Sequence, residues 1–214
     1  MRHLGMLAIL LLIFSVSPLM ADTISFSGMS IGQDIPSPYM DFTWSGWAYI
    51  DGSFGFGYQN LATATGLPGM AWIYGDNGST IEGVFSRPDK PFILQTAVLG
   101  AAWRQGVTAH IQGYLDGVLT GEIFALVNDG SEGTAVPTII QPNWLVDEVR
   151  IQGTGGTSGY GGILYPNLVQ SHVLLSSIDY AEPELEHMPE PSSILLLGGG
   201  LGALGLLTYR RRNK

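Results

Sequence analysis

Apolar and polar positions alternate most regularly at 107–112, where Val107, Ala109 and Ile111 are separated by Thr108, His110 and Gln112. A period of two gives a strand with one buried and one wet face. Asp116-Gly117 follows as hairpin-turn chemistry, and 118–127 returns as the partner strand. Shorter apolar and aromatic runs, broken by glycine, proline and Asp-Gly pairs, predict further strands at 23–27, 42–50, 72–74, 80–85, 92–99, 145–151 and 172–180. No segment shows a convincing helical period. Many short strands without β-α-β alternation pack as two antiparallel sheets, so the expected fold is all-β, a jelly-roll-like antiparallel β-sandwich over residues 22–180. Trp44 and Trp47 raise a local conflict: with Ser45-Gly46 between them they cannot both point inward from one unbroken strand. Either one is exposed or a bulge intervenes at Gly46.

The two ends depart from this pattern. Residues 1–21 combine Arg2, an apolar run at 4–14 and the ending Leu19-Met20-Ala21, the arrangement of a secretory signal peptide cut before Asp22. As a helix the apolar run spans about 16 Å, roughly half of a bilayer's hydrocarbon, which favours cleavage over anchoring. Export then engages a secretion translocon and a signal peptidase. At the other end, residues 181–188 form an acidic spacer with few apolar groups. Pro189, Glu190 and Pro191 follow as a stiff, extended tripeptide. Residues 192–209 hold no charge and would reach about 27 Å as a helix, near the minimum for a single transmembrane helix. Arg210, Arg211, Arg212 and Lys214 then close the chain, a charge cluster that belongs on the cytoplasmic side.

The ordered set over 189–214, Pro-Glu-Pro, a glycine- and leucine-rich span and a terminal arginine cluster, resembles the PEP-CTERM sorting signal. The resemblance implies export across the inner membrane of a Gram-negative bacterium that makes exopolysaccharide. It also implies recognition of Pro189, Glu190 and Pro191 by an integral-membrane exosortase, with Arg210, Arg211 and Arg212 as the membrane-retention cluster. An inner-membrane-anchored precursor would then pass to the cell surface or extracellular matrix. The passenger is similar in feature order to exported proteins of that kind: early Trp44 and Trp47, a 92–103 segment, the Val107 hairpin, Asn143-Trp144 and a closing Ser-Ile-Asp strand. That likeness implies a carbohydrate-binding-like shape and carries no catalytic motif.

Composition removes several mechanisms. The chain of 214 residues has no cysteine, so disulfides, thiolate metal sites and cysteine nucleophiles are excluded. Its formal net charge is -9, and all 18 acidic residues but only four basic ones lie between Asp22 and Pro191. Nucleic acid, which needs a basic surface, is not an expected partner.

Within the passenger, Gly156-Thr157-Ser158-Gly159-Tyr160 fails the nucleophile-elbow pattern at its last position. No HExxH or paired-histidine spacing is present; of His110 and His172, the first falls on a polar strand face and reads as a surface residue. Asp147 and Glu148 would point to opposite faces of a strand and make a poor acid-base pair. The glycine run 153–162 reads as a flexible loop, and its Tyr160, with Tyr165, offers aromatic faces for stacking on a sugar ring. No cofactor is expected. A structural calcium would draw on Asp179 or the Asp76-Asn77-Gly78 turn, neither of which has helix-loop-helix calcium spacing. The expected function is therefore a non-enzymatic, exported surface or matrix protein associating with exopolysaccharide. A surface glycan hydrolase on the same scaffold and a purely structural matrix protein are the alternatives.

Overall fold

The structure, a computed structural model, describes residues 21–73, 82–131, 136–158 and 171–183. Residues 1–20 of the expected signal peptide, most of the expected acidic spacer, Pro189, Glu190 and Pro191, residues 192–209 and Arg210, Arg211 and Arg212 lie outside them, as do Tyr160, Tyr165, Asp76, Asn77 and Gly78. Among the described residues no helix is long and apolar enough to cross a membrane. The first of two compact units ends at Glu182.

That unit is an antiparallel two-sheet β-sandwich. One sheet runs β10 (Trp144–Val146), β6 (Phe92–Ala102), β12 (His172–Ala181), β4 (Gly69–Ile73), β3 (Trp47–Asp51), with β1 (Asp22–Ser25) on β12 and β9 (Thr138–Ile140) on β6. The other runs β2 (Thr43–Ser45), β5 (Glu82–Ser86), β11 (Glu148–Ser158), β7 (Arg104–Leu115), β8 (Val118–Val127). The β7–β8 hairpin has the expected two-residue turn: Leu115 faces Val118, with Asp116 at φ 52° and Gly117 at φ 74°, as the hairpin twist requires. Val107, Ala109 and Ile111 are fully buried between the sheets.

The Trp44–Trp47 conflict is resolved by a change of sheet. Trp44 lies in β2 of the five-stranded sheet and Trp47 in β3 of the seven-stranded one, so each points into the core from its own side. Gly46 makes the crossing at φ 75°, where a Cβ would stand 2.2 Å from the Glu82 carbonyl oxygen. The expected strand at 42–50 is thus two strands. The 145–151 segment is likewise divided at Asp147 between β10 and β11, so Asp147 and Glu148 are not alternating residues of one strand.

Three further features depart from the sequence reading. Helix α1 (Phe56–Thr65) shows no clear helical period in the sequence; Tyr58 and Leu61, both at 0% exposure, pack it inward, and Gly57 is buried beside them. It covers the outer side of the seven-stranded sheet, where Ile50, Met70, Ala102 and Leu174 complete a second apolar cluster. This is why β12 is buried on both faces. Second, the glycine run enters β11, which continues to Ser158; at Gly153 a Cβ would lie 2.0 Å from the Ser171 carbonyl oxygen, so glycine there serves close packing rather than flexibility. Third, the sandwich extends past 180: Ala181 belongs to β12, and Glu182 binds Arg87 and Lys90 at 2.9 Å each.

Candidate functional site

One end of the sandwich gathers the residues best suited to a ligand. There β4 ends at Ile73, β6 ends at Ala102, and β12 begins at His172, which pairs with Ala102. The His172 imidazole stacks on Trp72, with ring centroids 4.9 Å apart and planes 30° apart, and lies 5.3 Å from the Trp103 ring. Tyr58 meets Trp103 edge-on at 6.1 Å. Both indoles are half-buried, whereas His172 and Tyr58 are buried.

His172 Nδ1 sits 2.9 Å from the Ile73 carbonyl oxygen. A carbonyl only accepts, so Nδ1 carries the proton and Nε2 of the neutral ring is left as an acceptor. Among the described residues Nε2 has no hydrogen-bond partner, and neither does the Tyr58 hydroxyl. Burial lowers the His172 pKa, and the Ile73 bond opposes this only in part. Burial likewise pushes the Tyr58 phenol up.

Trp103 occupies the corner between β6 and β7 with φ 67°, in the left-handed region that a bulky side chain seldom enters. Such a conformation costs of order 1–3 kcal/mol and persists where surrounding structure enforces it. Immediately beyond the corner, Gln105, Gly106, Asn128, Gly156 and Thr157 line a polar cup of ≈ 380 Å³. Gln105 Nε2 donates to Ser131 Oγ at 2.6 Å, and Asn128 Oδ1 accepts from the Gly106 N–H at 2.9 Å. Gln105 Oε1 and Asn128 Nδ2 make no hydrogen bond among the described residues. Arg104 donates to the Gly156 carbonyl, which holds the cup to β11. A second recess, of ≈ 440 Å³, is lined by Asp51, Gly52, Ser53, Gln59, Ala62, Thr63, Gly66 and Pro68 and contains no aromatic side chain.

The sequence-selected residues fall elsewhere. His110 stands on the outer face of the five-stranded sheet as expected, parallel to Phe124 at 4.3 Å, with Nε2 2.6 Å from Glu122 Oε1. Asp147 is occupied structurally: its Oδ2 accepts from the Asp116 N–H at 2.8 Å, while Glu148 binds Arg150 Nε at 2.6 Å. Asp179 accepts from Thr23 Oγ1 at 2.6 Å, tying β1 to β12. Among the described residues no three of His, Asp and Glu are placed to hold a metal ion. Sequence reasoning takes Trp72 and Trp103 as core by default, as for any aromatic in a strand pattern, and does not single out Gln105 or Asn128; these residues come from separated segments and carry no motif spacing.

No family model matches the chain, and no curated protein matches it. Among solved structures it is similar to the family 32 CBM of C. perfringens NanJ in complex with galactose, at 12% identity and TM-score 0.37, over 65% of this chain and 93% of that one. TmCBM61 in complex with beta-1,4-galactotriose matches at 7% identity and TM-score 0.36, over 66% of this chain and 88% of that one. SpGH29 matches at 13% identity and TM-score 0.34, over 64% of this chain but 27% of its own length.

Proposed function

We propose that the chain is an exported, non-enzymatic surface or matrix protein whose jelly-roll-like sandwich binds extracellular polysaccharide at the Trp72–Trp103 end. Repeated passage of successive strands between the two sheets supports the jelly-roll-like reading. The observation that carries the binding assignment is half-buried Trp103, held in a left-handed backbone conformation two residues before Gln105, which with Gly106, Asn128, Gly156 and Thr157 lines the polar cup. A pyranose has an apolar C–H face for an indole and hydroxyls for amide donors and acceptors, the combination present here.

Delivery to the surface follows from the PEP-CTERM-like order of the final residues, with an exosortase acting at Pro189, Glu190 and Pro191 and Arg210, Arg211 and Arg212 retaining the precursor in the inner membrane. Glu182, where the sandwich hands over to the spacer, lies at the opposite end of β12 from His172, about 30 Å away at the usual strand rise. Attachment through the C-terminal segment therefore leaves from the end of the sandwich remote from the cup.

Retention of the full chain and its Trp103→Ala variant on a panel of immobilised bacterial exopolysaccharides tests the binding assignment. Retention falling about tenfold, near 1.4 kcal/mol, with unchanged circular dichroism is expected. Equal retention of both proteins, or release of reducing sugar by the natural chain, would overturn it. Intact mass from hosts with and without an exosortase tests the sorting assignment; a tail lost only in the first is expected, and a tail retained in both sinks it.

A further inference from the structure

The charge of a polymer that the cup can hold depends on where the few cations of the chain stand. Between Asp22 and Pro191 there are 18 acidic residues and four basic ones, Arg87, Lys90, Arg104 and Arg150. Arg87 and Lys90 both bind Glu182 at 2.9 Å, at the other end of β12 from His172. Arg150 Nε donates to Glu148 at 2.6 Å, and its guanidinium lies 4.7 Å from the centre of the Tyr114 ring. Of the four only Arg104 stands at the cup, where it donates to the Gly156 carbonyl in the lining. The histidines add no charge there: buried His172 donates from Nδ1 to the Ile73 carbonyl, and His110 is paired with Glu122 on the outer sheet face. The segments outside the described residues bring no cation either. Residues 74–81, 132–135 and 159–170 contain no lysine, arginine or histidine, and their charged residues are Asp76 and Glu132, both acidic.

The lining itself is uncharged, being Gln105, Gly106, Asn128, Gly156 and Thr157. Its two amides are each fixed in one orientation. Gln105 turns Nε2 to the Ser131 hydroxyl and carbonyl, at 2.6 and 3.4 Å, because a carbonyl only accepts. Asn128 turns Oδ1 to the Gly106 N–H at 2.9 Å, because that group only donates. The lining thus keeps one amide acceptor, Gln105 Oε1, and one amide donor, Asn128 Nδ2. A sugar hydroxyl both donates and accepts, so the hydroxyls of a single ring match the two together. A carboxylate or sulfate group only accepts. It meets the Gln105 oxygen with like polarity and finds no counter-ion to offset the loss of its water.

We infer that the cup selects uncharged polysaccharide, chains of neutral pyranoses with free hydroxyls, and rejects polymers rich in uronate or sulfate. This selection rests on the binding assignment above and adds the charge class of the ligand. The acidic excess of the passenger acts in the same direction at longer range, since it repels an anionic polymer before contact. A neutral polymer feels no such field, so its retention is insensitive to salt.

The test divides the exopolysaccharide panel into neutral and anionic members and adds polymers that share a backbone and differ in charge: dextran with dextran sulfate, and methyl-esterified with free polygalacturonate. With the detergent-purified full chain, neutral members should bind at least about tenfold more tightly than anionic ones at about 50 mM NaCl, with less than about twofold change up to about 500 mM. Thr157→Lys places a cation in the lining and should raise affinity for the anionic members several-fold, in a salt-sensitive way. Thr43→Lys makes the same change in net charge on exposed β2, at the opposite end of β11 from Thr157, and should not. Tighter binding of anionic members by the natural chain, or an equal gain from Thr43→Lys, would overturn the inference while leaving a polysaccharide-binding protein. Failure of retention on every polymer is the distinct failure of the binding assignment, and it removes the inference as well.

Discussion

His172 stacks on Trp72 at 4.9 Å while its Nδ1–H is bound to the Ile73 carbonyl, so the fold holds this imidazole neutral. Burial lowers its pKa from 6.5. The unfolded chain therefore binds a proton that the folded chain refuses, between the lowered pKa and about 6.5. The stability contribution is complete above about pH 6.5 and is lost as pH falls through that window. Urea midpoints across mildly acidic pH should decline for the natural chain and decline less for His172→Phe. Parallel declines would show that His172 is not the titrating group.

The Tyr58 hydroxyl is buried and has no hydrogen-bond partner among the described residues, while its ring packs against Trp103 and Phe54. An unpaired buried hydroxyl costs about 1–3 kcal/mol. Tyr58→Phe keeps the ring and removes the penalty, so the variant is expected to be as stable as the natural chain or about 1 kcal/mol more so. A clear drop in the urea midpoint would mean that the hydroxyl is satisfied in solution.

Gly46→Ala adds a methyl group 2.2 Å from the Glu82 carbonyl oxygen at a backbone φ of 75°. The strain and the clash both act where the chain changes sheets, so destabilisation of about 2 kcal/mol or more is expected. Gly28→Ala, also at positive φ but with open space around its Cβ, separates the two effects. It should lose less, and equal losses would assign the whole effect to φ.

At the far end of β12, Arg87 is 6% exposed, lies 5.1 Å from the Phe42 ring centroid and 5.5 Å from that of Tyr180, and binds Glu182, which is 40% exposed. Burial raises the Glu182 pKa, but hydrogen bonds from Lys90 and Arg87 outweigh it and hold the carboxyl below 4.5. The pair's contribution is thus present above about pH 4.5 and is lost as pH falls below it, a window more acidic than that of His172. Because Glu182 is partly solvated, Glu182→Gln should cost only about 1 kcal/mol at neutral pH. Arg87→Ala, which also removes the packing on two rings, should cost more, about 2–3 kcal/mol. A reversed order would place the strength of the contact in the carboxylate.

How much of this was readable beforehand depended on the range of the interactions involved. The β7–β8 hairpin was legible because alternation and an Asp-Gly turn are local: six consecutive side chains report which face is buried, and two turn residues set the return. Helix α1 was not, since Tyr58 and Leu61 stand among glycine and small or polar residues that show no visible period; a sheet surface that needed covering supplied the rest. The residues of the candidate site were equally hidden. Trp72, Trp103 and His172 are spread along a hundred residues of chain and meet only because β4 and β6 end where β12 begins.

The order of residues alone established the β character, the absence of thiol chemistry, the acidic balance and the expectation of an exported chain with a sorting tail, because each rests on composition, period or a contiguous motif. Folding settled which tryptophans are core and which stay half-buried at the candidate site. Trp44 and Trp47 both vanish inward because Gly46 sends them to different sheets, and Trp103 stays half-exposed because the β6–β7 corner holds it there. Those outcomes depend on which strands pair across the sandwich, a long-range choice made by core closure and absent from any local stretch of the chain.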